Sequence, residues 1–133
     1  MHMITEDEPS YHARALYRRM SARPHRVLYV GLDLALLTYL TERLDECWVV
    51  RAPAACVARL FIKHLKHSLF VFDEVLMDGT AQELTRFTRE IANRERTPIL
   101  IVKKSDNLEL LAITIERLLA AQERETRATS LSL

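Results

Sequence analysis

The sequence predicts an α/β fold in which one parallel sheet lies between two layers of helices. Short apolar segments with the composition of strands alternate with segments whose apolar residues recur every three or four positions, as in a helix. Short connections between such elements favour right-handed crossovers between parallel strands. Residues 24–122 are therefore expected to form one doubly wound domain of three layers.

Four strands and four helices account for this domain. The strands are predicted at residues 26–31, 47–51, 69–72 and 98–102. The helices are predicted from apolar stripes at Leu36, Leu37, Leu40 and Leu44; Val57, Leu60, Phe61 and Leu65; Leu84, Phe87 and Ile91; and Leu108, Leu111, Ile115 and Leu118. Asp33 is expected to cap the first helix, and Thr80 with Glu83 forms a capping box for the third. Asp106 and Glu109 have the same spacing before the last helix.

The two ends of the chain differ from the domain between them. Residues 1–9 are acidic and lack periodicity, so we expect them to be disordered. Residues 10–23 predict an extra helix with Leu16 and Tyr17 on its apolar face. Residues 123–133 are polar and rich in Ser and Thr, and we expect a flexible tail there.

Composition narrows the classes of function. The chain has 133 residues, of which 49% are hydrophobic and 28% charged, enough for one globular domain with a single core. A formal net charge of +1 argues against nucleic acid as a partner. No apolar run approaches the ~18 residues of a membrane span, and the acidic start is unlike a signal peptide. We therefore expect a cytoplasmic protein that contacts neither membrane nor nucleic acid.

The cysteines and histidines predict no metal or redox motif. Cys47 and Cys56 lie in different predicted elements without Cys-x-x-Cys spacing, so both are expected to be buried structural thiols. His64 and His67 could share a metal ion, but the sequence offers no third ligand nearby. Both histidines also suit the negative end of a helix, and no metal site is predicted.

The third predicted strand ends at a carboxylate. Residues 69–72 form an unbroken apolar run, typical of a strand buried on both faces, and Asp73 follows directly. In open α/β sheets, ligands bind at the carboxyl ends of the strands. Asp73 is therefore the first candidate for a functional residue.

Several of these segments together resemble the receiver domain of bacterial two-component response regulators. They include Trp48-Val-Val-Arg51, Leu69-Phe-Val-Phe-Asp73, Met77-Asp-Gly79 and Thr97-Pro-Ile-Leu-Ile-Val102, and the resemblance runs from residue 26 to residue 102. The resemblance implies a flavodoxin-like, receiver-like fold with strand order 2-1-3-4, in which the family's fifth strand is missing. It also implies signal transduction through protein partners, with a sensor kinase as one candidate.

The resemblance assigns roles to residues, and several positions depart from the family pattern. Asp73 takes the position of the phosphoryl acceptor. Two acidic residues after the family's first strand help to hold Mg²⁺, but Gly31 and Leu32 stand there, and Asp33 comes too late. One carboxylate cannot replace three in holding this small, hard cation. We therefore expect no cofactor and no Mg²⁺-dependent phosphorylation.

Four further residues are expected to surround Asp73: Asp33, Asp78, Lys103 and Lys104. Lys103 stands at the family's hydroxyl position after the fourth strand, and its ammonium could pair with Asp73 across adjacent strand ends. In the alternative, both lysines point into solvent, and Asp73 caps the third helix or binds backbone amides.

Three classes of function remain open. The favoured one is a stand-alone, degenerate receiver-like module that acts by binding proteins. The second is a working phosphoacceptor that uses Asp73 in a phosphorelay. The third, a small enzyme on the same fold, is disfavoured because no acid–base or nucleophile motif is visible.

The fourth strand predicts self-association. With this strand order it forms an apolar sheet edge without protective charges, which invites pairing with another chain. We expect a homodimer that uses Ile99 and Ile101 of the strand, Leu111 and Ile115 of the last helix, and Leu16 and Tyr17 of the N-terminal helix. In the alternative, the N-terminal helix covers the edge of its own chain.

Overall fold

The computed structural model describes residues 25–132, and the side chains of residues 25–125. The predictions for residues 1–9 and 10–23, including Leu16 and Tyr17, lie outside the described residues. The strands are β1 (His25–Val30), β2 (Cys47–Ala52), β3 (Leu69–Asp73), β4 (Val75–Leu76), β5 (Gly79–Thr80) and β6 (Ile99–Val102). The helices are α1 (Leu34–Arg43), α2 (Ala55–His64), α3 (Ala81–Glu90) and α4 (Leu108–Ser132).

One parallel sheet of four strands organises the domain. Its order is β2-β1-β3-β6, and every neighbouring pair is parallel. The predicted α/β fold and the predicted strand order are confirmed. The carboxyl ends of the strands meet at one edge of the sheet, where Val30 lies beside Phe72 and Asp73 lies beside Val102.

The core consists of two clusters, one on each face of the sheet. On one face, Val27, Tyr29, Leu69 and Val71 pack with α1 and with Ile115 and Leu119 of α4. On the other face, Leu28, Val30, Phe70 and Phe72 pack with α2 and α3. Alternate strand residues therefore serve alternate faces, which the pleat of a strand requires. Full burial of one such large apolar side chain stabilises the fold by roughly 1.5–3 kcal/mol.

The predicted apolar stripe of α2 is correct at Val57 and Phe61, which pack against the core, and wrong at Leu60 and Leu65. Leu60 is 59% exposed and Leu65 is 42% exposed, whereas Ala55, Ala58 and Ile62 are buried. The small alanines share their cluster with the large rings of β3, which fill the space between helix and sheet. The fit of the small alanines against the large rings therefore determines which face of α2 is buried, and the size of the helix's own apolar side chains does not.

Of the two cysteines, only Cys47 is buried, so the prediction for Cys56 is wrong. Cys56 lies in the first turn of α2, between Ala55 and the half-buried Val57, and its backbone amide donates a hydrogen bond to Asp78 Oδ2 at 3.0 Å. The thiol therefore belongs to the exposed side of the helix.

The predicted C-terminal tail is also wrong, because α4 continues to Ser132. Residues 119–125 are mainly Ala, Leu, Gln, Glu and Arg, which have high helix propensity. Side chains also attach this part of the helix to the sheet. Gln122 Nε2 donates a hydrogen bond to the Ser68 carbonyl at 2.6 Å, and Glu123 Oε1 lies 2.8 Å from His25 Nε2.

The helix caps agree with the sequence in two cases and differ in one. Asp33 accepts a hydrogen bond from the Leu36 amide, and Thr80 with Glu83 forms the predicted capping box. At α4 the cap is Asn107, whose Oδ1 accepts from the Leu110 amide at 3.0 Å. Asp106 instead accepts a hydrogen bond from the Lys103 amide at 2.8 Å, which closes the turn after β6.

Strand β6 lies at the edge of the sheet and pairs only with β3 among the described residues. Ile101 is 40% exposed, while Ile99 and Leu111 are half-buried. Ile115 is fully buried between α4 and the sheet, so its prediction as an interface residue is wrong. The surface at this edge is therefore smaller than the sequence predicted.

Candidate functional site

Asp73 stands where β3 ends and is half-buried. Its Oδ1 accepts a hydrogen bond from the Tyr29 hydroxyl at 2.8 Å. The same hydroxyl accepts a hydrogen bond from the Asp33 amide at 3.1 Å. Tyr29 is fully buried near the carboxyl end of β1, so the contact holds the Asp73 carboxylate against the sheet.

Gly31, directly after β1, makes this contact possible. A Cβ atom at position 31 would overlap the Asp73 carboxylate and the Tyr29 hydroxyl. The absence of a side chain therefore provides the space in which these two groups meet. The Gly31 amide donates to the Ala52 carbonyl at 3.0 Å, which fixes the backbone at this point.

Burial is the largest influence on the pKa values of Asp73 and Tyr29. Burial raises the pKa of Asp73 above its usual value, and the neighbouring Asp33 raises it further, while hydrogen bonds from Tyr29 and the Leu32 amide oppose the change. Burial also raises the pKa of the Tyr29 phenol strongly. Tyr29 therefore keeps its proton and acts as a hydrogen-bond donor to Asp73.

A cleft of about 880 Å³ opens beside Asp73 at the carboxyl edge of the sheet. Asp33, Lys103 and Lys104 line the cleft together with Asp73. Most of the remaining wall is apolar and includes Leu32, Val75 and Met77. The cleft therefore combines a partly buried carboxylate with an apolar wall.

The hypothesis that Lys103 pairs with Asp73 is not supported by the geometry. Lys103 and Lys104 are both exposed. The ion pairs within residues 25–125 join His25 to Glu123 and Arg43 to Glu116. The Lys103 backbone is held in the turn by Asp106, and the two lysines lie on the cleft wall in contact with solvent.

The sequence left a second possibility for Asp73, in which it caps α3 or binds backbone amides. Asp73 does not cap α3, whose cap is Thr80, but it does interact with a backbone amide, that of Leu32.

Asp78 was predicted in the pocket and lies elsewhere. Its two carboxylate oxygens accept hydrogen bonds from the Ala55 amide at 2.7 Å and the Cys56 amide at 3.0 Å. These bonds satisfy free N–H groups at the start of α2, where the cap residue Ala54 has no side-chain acceptor. The same bonds lower the pKa of Asp78. Asp78 therefore joins the β4–β5 hairpin to α2 and is not a cleft residue.

The residues around Asp73 do not fit a Mg²⁺ ion. Gly31 and Leu32 offer no carboxylate, and Asp33 Oδ1 is engaged by the Leu36 amide at 3.0 Å. No group of three or more His, Cys, Asp or Glu side chains that could hold a metal occurs among the described residues. Mg²⁺ in proteins is usually held by one or two carboxylates together with water molecules. Here Oδ1 of Asp73 and Oδ1 of Asp33 already accept hydrogen bonds from the Tyr29 hydroxyl and the Leu36 amide.

His64 and His67, which are close in sequence, differ in burial. His67 is buried, its Nδ1 lies 3.1 Å from the Leu65 carbonyl oxygen, and burial lowers its pKa to about 4. His64 is exposed at the end of α2. His67 is therefore part of the folded interior, and His64 belongs to the surface.

Sequence reasoning missed Tyr29. Its signal was a single hydroxyl in the apolar run Val27-Leu-Tyr-Val30, two residues before a glycine. A buried tyrosine needs a hydrogen-bond partner, and the carboxylate that ends the neighbouring strand is the natural acceptor. The register that pairs Tyr29 with Val71 brings the two groups together.

Comparison with solved structures identifies the architecture. The non-phosphorylated HemR receiver domain from Leptospira biflexa is 23% identical, with a TM-score of 0.63 over 71% of this chain and 94% of that chain. A CheY-like receiver domain protein from Methanospirillum hungatei is 21% identical, with a TM-score of 0.61 over 76% of this chain and 98% of that chain. The protein therefore has the flavodoxin-like fold of response-regulator receiver domains.

A third similar structure contains a metal ion. The receiver domain of a sensor histidine kinase from Pseudomonas aeruginosa, solved with a magnesium ion coordinated in its active site cleft, is 15% identical. Its TM-score is 0.62 over 72% of this chain and 98% of that chain.

No family model matches the chain. No curated protein matches it either.

No helix within residues 25–132 is both long enough and apolar enough to cross a bilayer.

Proposed function

We propose that this protein is a degenerate receiver-like domain that acts in signal transduction by binding other proteins, without Mg²⁺-dependent phosphorylation of Asp73. One observation carries the proposal: the Asp73 carboxylate and the Tyr29 hydroxyl fill the space of a side chain at position 31. A metal-binding carboxylate could not be accommodated there without displacing both groups. The receiver fold supports the signalling role, and the cleft chemistry supports the loss of phosphorylation.

The same proposal covers partners and location. The partner is a protein of a signalling pathway, with a sensor kinase among the candidates, and the protein acts in the cytoplasm without nucleic acid or enzymatic activity. A net charge near zero supports a protein partner over a polyanion.

Acetyl phosphate tests the proposal directly. The full chain is incubated with acetyl phosphate and millimolar Mg²⁺, and its intact mass is measured beside that of the Asp73→Asn variant. A magnesium-binding receiver domain treated in parallel serves as the positive control. We expect no added phosphoryl group and no saturable change in Trp48 fluorescence with Mg²⁺ or beryllofluoride. A stable adduct that Asp73→Asn abolishes would contradict the proposal.

The second candidate function is a phosphoacceptor in a phosphorelay. Asp73 supports it, because the carboxylate ends the central strand β3 and lies at the open cleft. The experiment with acetyl phosphate separates the two candidates, since the second requires the adduct that the first excludes.

We also propose that the protein forms a homodimer through the outer edge of β6. Ile101 is 40% exposed on an edge that carries no charged side chain. An unprotected, apolar edge strand pairs readily with another strand. Ile99 and Leu111 border this edge, and Leu16 and Tyr17 of the N-terminal segment are the proposed additional cover.

Light scattering after size exclusion tests the dimer. The full chain at micromolar concentration is expected to be a dimer, and Ile101→Lys is expected to dissociate it because the charge would enter the strand pair. Leu60→Lys is the matched control, since Leu60 is 59% exposed on α2 and belongs neither to the edge strand nor to α4. A monomeric wild-type chain would contradict the dimer and leave the signalling proposal standing.

A further inference from the structure

Three large apolar side chains line the cleft and are mostly exposed. Leu32 is 52% exposed, Val75 75% and Met77 67%. Leu32 follows β1, while Val75 and Met77 belong to the hairpin that follows Asp73. Contiguous apolar exposure of this kind marks a site of interaction, unlike single apolar residues scattered over a surface.

Charged side chains also line the cleft between these apolar groups. Asp73 is the half-buried carboxylate of the cleft, with one oxygen hydrogen-bonded to Tyr29. Within residues 25–125 no lysine, arginine or histidine forms an ion pair with Asp73. Asp33, Glu74 and Asp106 add negative charge to the same wall, Lys103 and Lys104 add positive charge, and all five side chains are exposed, so the carboxylates of the cleft outnumber its ammonium groups. A cation that entered the cleft would neutralise a carboxylate that burial leaves poorly solvated.

The exposure of the rim decides between a small molecule and a protein. A small ligand inside the cleft could neutralise Asp73, but it would leave most of Val75 and Met77 in contact with water. A protein segment can place one side chain in the cleft and cover the rim with its neighbours. Such an arrangement, an anchor in a pocket with apolar contacts around it, is typical of binding hot spots.

We infer that this cleft is the docking site for a partner protein segment that presents an arginine or lysine between apolar side chains. The basic side chain enters the cleft and pairs with Asp73, and the flanking apolar side chains cover Leu32, Val75 and Met77. The inference rests on the proposed function and names the chemistry of its partner.

Selection from a random library of short peptides displayed on phage tests this inference. The full chain is the bait, and the Asp73→Asn variant is the bait of a parallel selection. Asparagine keeps an acceptor for the Tyr29 hydroxyl but carries no charge. We expect the wild-type chain to enrich peptides with one arginine or lysine flanked by apolar residues, and we expect Asp73→Asn not to enrich them.

A double-mutant cycle on one selected peptide gives the quantitative test. Replacement of its arginine by citrulline, or of its lysine by norleucine, is expected to weaken binding at least about tenfold. The same replacement is expected to have little effect on binding to Asp73→Asn, because the two charges act as a pair. Val75→Ser with Met77→Ser is expected to weaken binding through loss of the rim. Asp45→Asn removes an exposed charge at the opposite edge of the sheet and is expected to leave binding unchanged.

Several outcomes would overturn the inference. They are enrichment of acidic peptides that bind Lys103 and Lys104, equal binding by wild type and Asp73→Asn, or no enrichment because a second copy or a small molecule occupies the cleft. A chain that takes up no phosphoryl group but selects acidic peptides keeps the proposed function and loses this inference. Uptake of a phosphoryl group contradicts the proposed function whichever peptides are selected.

Discussion

Asp73 and Asp78 lie at the two ends of one loop and have opposite environments. Asp78 is exposed, and both of its oxygens accept hydrogen bonds from backbone amides at the start of α2. Asp73 is half-buried beside an apolar cleft, where burial is the largest influence on its pKa. The pKa of Asp78 is lowered and that of Asp73 is raised.

The difference shows that one short segment carries both a carboxylate that supports the structure, Asp78, and a carboxylate of the candidate functional site, Asp73. The contact of Asp78 with α2 holds the β4–β5 hairpin in place, and the hairpin carries Val75 and Met77 at the mouth of the cleft. A carboxylate whose two oxygens both accept hydrogen bonds connects the hairpin to the helix stably. A carboxylate held in a poorly solvated cleft retains the capacity to bind a cation.

Replacement of Gly31 by alanine should have the largest effect, because it acts on the packing that fixes Asp73. The methyl group would overlap the Asp73 carboxylate and the Tyr29 hydroxyl, and Tyr29 is fully buried and cannot move freely. We expect the free energy of unfolding to fall by about 1–3 kcal/mol. Urea denaturation measures the change.

Tyr29→Phe supplies the control for this prediction. In that background one of the two overlapping groups is gone, so Gly31→Ala should cost less than it does in the wild-type chain. Equal stability of wild type and Gly31→Ala would show that the Asp73–Tyr29 contact is not tightly packed.

Asp78→Asn should have a smaller effect with a defined pH dependence. The folded-state pKa of Asp78 is lowered, so its charged form stabilises the native state above the usual carboxyl pKa of about 3.9. The stabilisation is lost as the pH falls through the folded-state pKa. We expect the variant to be less stable than wild type at neutral pH, and the gap to close below about pH 3.9.

Thermal unfolding between acidic and neutral pH measures this gap. Glu74→Gln is the matched control, because Glu74 is an exposed carboxylate in the same loop. A gap that remains constant down to the most acidic pH would show that the charge of Asp78 contributes nothing to the cap.

Much of the fold could be predicted from the sequence because its signals are local. The apolar run of β3 and the side chains at the caps of α1 and α3 each specify their own element. The strand order followed from the resemblance to receiver domains, and the short connections indicated only that the sheet is parallel. The buried face of α2 could not be read in this way, because it depends on the size of the rings in the neighbouring strand.

The candidate site was predictable only in part, since its contacts join residues distant in sequence. Asp73 was evident from its position after an apolar strand. The bond from Tyr29 depends on the register between β1 and β3, and the direction of Lys103 depends on the turn that Asp106 closes. The capture of Asp78 by α2 likewise depends on the path of the hairpin.

Asp73→Asn should have the smallest effect, with a pH dependence of opposite sign to that of Asp78→Asn. The folded-state pKa of Asp73 is raised, so ionisation favours the unfolded chain, and stability is lost as the pH rises through the folded-state pKa. We expect the variant to gain stability relative to wild type as the pH rises above about 3.9, by less than about 1 kcal/mol because the carboxyl is partly solvated.

Lys103→Met is the control, because Lys103 is exposed and forms no ion pair with Asp73. The two substitutions should be additive within about 0.5 kcal/mol. A larger coupling energy, or a pH dependence that follows that of Asp78→Asn, would mean that the Lys103 ammonium reaches Asp73 and stabilises its charge.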